Sequence, residues 1–201
     1  YSGAYGNGSL RLQLAEALRG LGRTEEARAA YQAAMNEDGA MSERFEFQRT
    51  IPSDAATIFG VISSPAGHVA IDASGMLQGY EGEPARAEGD TFIVHMDREA
   101  LGDMPLGKYD VTVTITGFEQ DRFITWEVSG PNFPSLGHYY GYRLEPIDDG
   151  TLVTSIYDWS QVGDEWKPEG VWPIIPESAL KATLGILERV VRQQSEAAGA
   201  A

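Results

Sequence analysis

The sequence predicts an α+β domain, a curved antiparallel sheet around a long C-terminal helix, preceded by an N-terminal helical hairpin. Three observations carry this. Stretches between residues 91 and 159 alternate apolar and polar residues and are separated by turn residues. Glu177 to Gln194 reads as one long amphipathic helix, with Leu180, Leu184, Leu187, Val190 and Val191 on a shared face. A meander of about five to six strands cannot bury its apolar face alone, and that helix is the long apolar surface on offer.

The chain changes character near residue 40. Residues 1–40 are rich in Ala, and all four Trp and all three His lie beyond them. Leu10, Leu14, Ala17, Leu18 and Leu21 recur at helical spacing, with Ser9 as a cap and Gly22 as a stop. Thr24 caps a second helix with Ala27, Ala30, Tyr31, Ala34 and Met35 on one face. Met41 followed by Ser-Glu-Arg reads as a translation start. Residues 1–40 are therefore expected to be either a fused or remnant hairpin, or a docking element offering a protein contact through residues 10–35. Residues 41–197 are expected to form the second domain.

In that domain Phe45, Phe47 and Arg49 alternate with Glu46, Gln48 and Thr50, a short strand closed by Pro52. Ser53 or Asp54 caps a helix with Ala56, Ile58, Phe59 and Ile62 apolar. Ser64-Pro65 and Gly67 break it, and Pro65 opens another helical turn. Gly89-Asp90 turns the chain into a strand at Thr91–Asp97. Tyr109 to Phe118 alternates, with Tyr109, Val111, Val113 and Ile115 on one face. Arg122 to Val128 follows a short acidic turn, and Tyr139–Leu144 and Leu152–Trp159 flank Asp148-Asp149-Gly150, which is hairpin grammar. Pro168 to Pro176 is a loop with three prolines.

Composition excludes several functions. The 201 residues carry 30 Asp+Glu against 15 Lys+Arg, a net charge of −15. Such a balance argues against nucleic acid or an anionic membrane as partner. With 42% hydrophobic residues the chain can build a core. The absence of cysteine removes disulfides, thiolate metal sites and Cys nucleophiles. No run of ~18 apolar residues is present, so no membrane insertion is expected, and without a visible secretory leader a cytoplasmic location is expected. Three scattered His give no metal-ligand spacing, and no Gly-rich phosphate loop opens a βα unit. No metal and no cofactor are expected.

Four candidates for chemistry remain, each with a structural alternative. His68 and Asp72 stand four apart, either a general base with its orienting carboxylate or a hydrogen bond at a helix end. His138 shares a face with Tyr140 and Tyr142, either hydrogen-bond donors to a ligand carbonyl or enolate, or cross-strand aromatic packing. Asp158 is either a buried acid of raised pKa or an exposed residue beside Ser160. His95 and Asp97 face solvent if Phe92, Val94 and Met96 point inward, and otherwise are a buried acid/base pair.

Two resemblances add to this reading. LAEALRGLGRTEEARAAYQAAMNED, residues 14–38, resembles a tetratricopeptide repeat, with Gly39 where that family usually places Pro; the likeness extends over residues 9–38. Residues 43–194 resemble the START/Bet v 1-like superfamily (SRPBCC), in particular its polyketide cyclase/dehydrase and lipid-transport type. The likeness rests on IPSDAATIFGVISSPAGHVAIDASGML (51–77), GDTF (89–92), RFITW (122–126) and GTLVTSIYDWS (150–160), in that order. It implies a helix-grip fold with a deep cavity between sheet and C-terminal helix. The expected function is binding or carriage of a hydrophobic small molecule of polyketide, sterol or acyl-chain type. The alternative is a cyclase/dehydratase-type enzyme using cavity Tyr, His and Asp. Trp126, Tyr140, Tyr142, Tyr109, Trp172 and Leu184 are the expected ligand-lining residues, with Trp166 and Trp172 over the mouth.

Overall fold

The structure is a computed structural model and describes residues 43–99, 107–131, 133–167 and 172–199. The hairpin expected over residues 1–40 lies outside the described residues.

The first strand, β1 (Arg44–Ile51), leads into two short helices, α1 (Ala55–Ile62) and α2 (Pro65–Ile71). Of the two expected caps, Asp54 is the one used. Its carboxylate accepts from the Thr57 backbone N–H at 2.8 Å and from the Thr57 hydroxyl at 2.7 Å, satisfying a donor that the first helical turn leaves orphaned. Pro65 occupies the first turn of α2, where its missing N–H costs nothing. The two helices meet so closely that a Cβ on Gly67 would lie 1.8 Å from the Val61 carbonyl oxygen. Asp72 ends α2 by accepting from Ser74 and from the Leu77 N–H, an Asx-type turn into β2 (Leu77–Glu81).

β2 is a strand that the residue patterns alone do not give. It has five residues, with Gly79 inside it and no apolar alternation. Pairing with the next strand, across a register shift between Leu77 and Gly79, is what makes it a strand. There follow β3 (Thr91–Asp97), β4 (Lys108–Glu119), β5 (Phe123–Ser129), β6 (Tyr139–Ile147) and β7 (Gly150–Asp158). They complete a seven-stranded sheet of order β1-β7-β6-β5-β4-β3-β2, antiparallel at every pairing. The β6–β7 hairpin needs glycine at its end. Gly150 has φ 135°, and a Cβ there would stand 2.3 Å from the Ile51 carbonyl oxygen.

The last element is α3 (Glu177–Gly199), 23 residues, about 35 Å long at the helical rise of ~1.5 Å per residue. It packs on α1, α2, β1 and β7. Its apolar stripe is the expected one. Leu184, Leu187 and Val191 are buried in a cluster with Ile51, Phe59, Ile62, Leu144 and Val153. No helix among the described residues is long and apolar enough to cross a membrane.

Candidate ligand cavity

Between the start of α3, the inner face of β3–β6 and the segment ahead of α3 lies a cavity of about 700 Å³, within the ~300–1,000 Å³ typical of small-molecule pockets. Its floor is set by strand parity, because side chains two apart point the same way. Val94 and Met96 of β3, Val111 and Val113 of β4, and Trp126 and Val128 of β5 border it. Its roof is the first two turns of α3, through Ala179, Leu180 and Thr183. The small Ala179 and Thr183 leave room there that the leucines further along the helix occupy. Glu165, Trp166 and Trp172 stand at the rim, with the Trp172 indole N–H donating to the Trp166 carbonyl at 2.7 Å.

A row of rings built by strand register starts at the cavity wall, with Trp126 and Tyr140, and runs on into the packed core with Tyr157 and Phe45. Trp126 lies opposite Tyr140, Tyr140 opposite Tyr157, and Tyr157 opposite Phe45. Tyr140 and Tyr157 stack with centroids 4.5 Å apart and planes 5° apart, and Trp126 stacks on Tyr140 at 6.0 Å. Burial pushes the hydroxyls of Tyr140, Tyr142 and Tyr157 well above the usual phenol value. They are therefore neutral hydroxyls at any physiological pH.

The two buried histidines sit at different places along this wall. His68 packs against Trp126 at 4.6 Å and edge-on to Phe92 at 5.0 Å. Its Nε2 is 2.9 Å from the Ile62 carbonyl oxygen. A carbonyl only accepts, so Nε2 carries the proton. His138 stands edge-on to Trp172 at 5.0 Å, to Tyr140 at 5.5 Å and to Tyr157 at 6.0 Å. Its Nδ1 is buried with no hydrogen-bond partner. Burial lowers both imidazoles to about 4, so both are neutral near pH 7.

Several expectations are corrected. Asp72 does not orient His68, because its carboxylate is committed to Ser74 and Leu77; the i, i+4 spacing ends in a turn rather than a pair. Asp158 is neither exposed nor a raised-pKa acid. It is buried on the face of β7 opposite Tyr157, away from the cavity, and accepts from Ser160, from Arg44 at 2.9 Å and from Tyr139 at 3.2 Å. Burial pushes its carboxyl up, and these donors outweigh burial and hold it below the usual range. Leu184 does not border the cavity but is 2% exposed in the packed core. It shares a helix face with Leu180, yet lies ~6 Å further along the axis.

Tyr109, Trp126, Tyr140, Tyr142 and Trp172 all border the cavity, as do His68, Asp72 and His138. His95 is an outward residue. Phe92 and Val94 are buried on the inner side, while the His95 Nδ1 meets the Asp110 carboxylate at 2.7 Å, which raises its imidazole above the ordinary value. Arg98 is a buried charged cavity residue that the sequence reading passed over. It is 5% exposed, borders the cavity and acts electrostatically on Tyr140. The signal was there: Phe92, Val94 and Met96 set an inward parity that Arg98 continues one step past the strand. Among the described residues no cluster of His, Asp and Glu is arranged to hold a metal ion.

No family model matches the chain, and no curated protein matches it. Its fold has many solved counterparts. Protein Ms6760 from Mycobacterium smegmatis superimposes with a TM-score of 0.56 at 12% identity, covering 76% of this chain and 93% of that one. The AHSA1-like protein from Aeromonas hydrophila gives 0.52 at 14% identity over 76% and 94%, and the KanY protein gives 0.53 at 16% over 74% and 97%. Identities of this size speak for fold and not for activity. With its seven antiparallel strands and long C-terminal helix, the chain has the helix-grip fold of the AHSA1-like proteins.

Proposed function

We propose that residues 41–197 bind or carry a hydrophobic small molecule, of polyketide, sterol or acyl-chain type, in the cavity between sheet and α3. The observation that supports this most is the cavity itself, about 700 Å³ bordered chiefly by Val, Met, Leu, Ile and aromatic side chains. A domain of this size fills its interior to crystal-like density unless something else is to occupy it. The resemblance to lipid-transport and cyclase proteins points the same way.

The polar groups favour carriage over a cyclase or dehydratase. Catalysis needs an acid and a base converging on one reacting atom. Here His68 is tied to a backbone carbonyl, Asp72 is tied into a turn, and Trp126 and Tyr140 stand between His68 and His138 along the wall. Asp158 lies on the other face of the sheet.

Native mass spectrometry of the full chain, followed by solvent extraction, is expected to reveal a co-purifying apolar molecule. Nile red serves as the defined probe. It is expected to bind the wild type with one site per chain and blue-shifted emission, and to lose about tenfold in affinity in Thr183→Leu, whose added side chain enters the cavity. Equal uptake by a folded Thr183→Leu protein would count against the cavity as the site.

A further inference from the structure

We propose that His138 anchors the molecule held in this cavity through one neutral hydrogen-bonding oxygen, a hydroxyl or carbonyl. This rests on the cavity reading above.

His138 is 3% exposed and enters the cavity at the start of β6. Three rings stand edge-on around it, Trp172, Tyr140 and Tyr157. None of the three hydrogen-bonds to the imidazole, and Nδ1 is the one buried side-chain polar atom without a partner among the described residues. A neutral imidazole always presents one N–H and one lone pair. At His68 the Ile62 carbonyl fixes which nitrogen carries the proton. At His138 no such contact fixes it, so the ring can take the tautomer that a hydroxyl or a carbonyl requires.

An unpartnered buried polar atom is destabilising, and folded proteins carry few of them. His138 borders the ligand-sized cavity, so a ligand oxygen that reaches its imidazole would supply a partner that the protein does not. Burial holds the imidazole neutral down to about pH 4, and the three rings around it carry no charge, so a neutral oxygen suits this contact. The buried Arg98 also borders the cavity and acts on Tyr140, so the preference belongs to the His138 contact and not to the whole cavity. A neutral oxygen at this end, with the apolar body of the molecule along Trp126, Met96 and Val128 toward α3, satisfies both parts of the site.

The test compares naphthalene with 2-naphthol, which differ by one hydroxyl, in titrations of the ¹⁵N-labelled full chain followed at the Trp indole N–H signals. The wild type is expected to bind 2-naphthol about tenfold more tightly than naphthalene, the scale of one buried hydrogen bond regained. In His138→Phe that preference is expected to vanish, with naphthalene bound as in the wild type. A second readout needs no variant: 2-naphthol, and not naphthalene, is expected to move the His138 ring ¹⁵N resonances. Equal wild-type affinities, an unmoved His138 ring, or a preference that survives in folded His138→Phe would overturn the anchor and leave the cavity reading standing. If neither compound perturbs the Trp signals, the cavity reading falls and the anchor falls with it.

Discussion

Thr183 and Leu187 lie one turn apart on the same side of α3, yet Leu187 is fully enclosed by packed side chains while Thr183 borders a cavity of about 700 Å³. The division runs through the whole inner face of the sheet. Toward the C-terminal half of α3, the sheet meets α1, and Ile58, Phe59, Ile62, Leu187 and Val191 fill the space between the layers. Toward the start of α3, the sheet meets small helix residues and a loop, and Trp126, Tyr140 and Val128 line empty space instead. The strands alternate in the same way in both halves. Inward parity therefore decides which side chains face the middle of the domain, and the layer opposite decides whether they are packed or left to line a site. Side chains of the packed half gain the full transfer and dispersion terms, whereas those of the cavity half lack partner atoms on one side.

This comparison is exposed most sharply by truncation. Leu187→Ala is expected to cost about 3–4 kcal/mol, the range for a leucine removed from a tight core. Met96→Ala is expected to cost about 1 kcal/mol or less, because Met96 already borders open volume. Urea denaturation of both variants measures the pair. Equal losses would mean that the cavity half is packed in solution.

Next in size is a pH effect confined to the cavity half, which holds both buried histidines. Their folded values, about 4, lie below the ordinary value of about 6.5. In this direction the unfolded chain binds more protons, so stability falls as pH falls below about 6.5 and stops falling on their account near 4. Between pH 7 and 5 each histidine is expected to remove about 2 kcal/mol. His68→Phe and His138→Phe should each flatten that slope. A pH-independent denaturation midpoint in the wild type would show that the imidazoles are solvated, and so that this half of the domain is open.

The smallest effect tests the packed half at its boundary. Asp54→Ala removes the cap of α1, the helix that fills that half, and is expected to cost about 1 kcal/mol. The Thr57 donors hold the Asp54 carboxyl below its usual range. Its contribution is therefore complete above about pH 4 and is lost as the pH drops through the folded value. A loss at pH 7 that matches the loss at pH 2.5 would show that the cap is not formed.

The sequence and the structure agree where the determinants are local. The Asp54 cap, the Pro65 start, the two hairpins and the stripe along α3 each depend on residues a few positions apart, and each is where its local pattern puts it. β2 was not legible because its strand character comes from pairing with β3 rather than from its own residues. At the site, parity and ring type sufficed to bring Tyr109, Trp126, Tyr140, Tyr142 and Trp172 to one cavity. The polar candidates were not legible in the same way. His68 and Asp72 are neighbours in sequence, yet each finds a different partner. Asp158 is held by Arg44, which reaches it only because β1 pairs with β7.

By itself, then, the sequence determined the order of the elements other than β2, the inward parity of those strands, the apolar stripe of α3 and the α+β class, since helix and strand periods are properties of the local chain. Tertiary structure alone decided that Leu184 is core and Thr183 is cavity wall, that Arg98 acts electrostatically on Tyr140, and that His138 keeps a nitrogen without a partner. Each of those depends on which groups from distant parts of the chain stand within a few ångströms, and no local period encodes that distance.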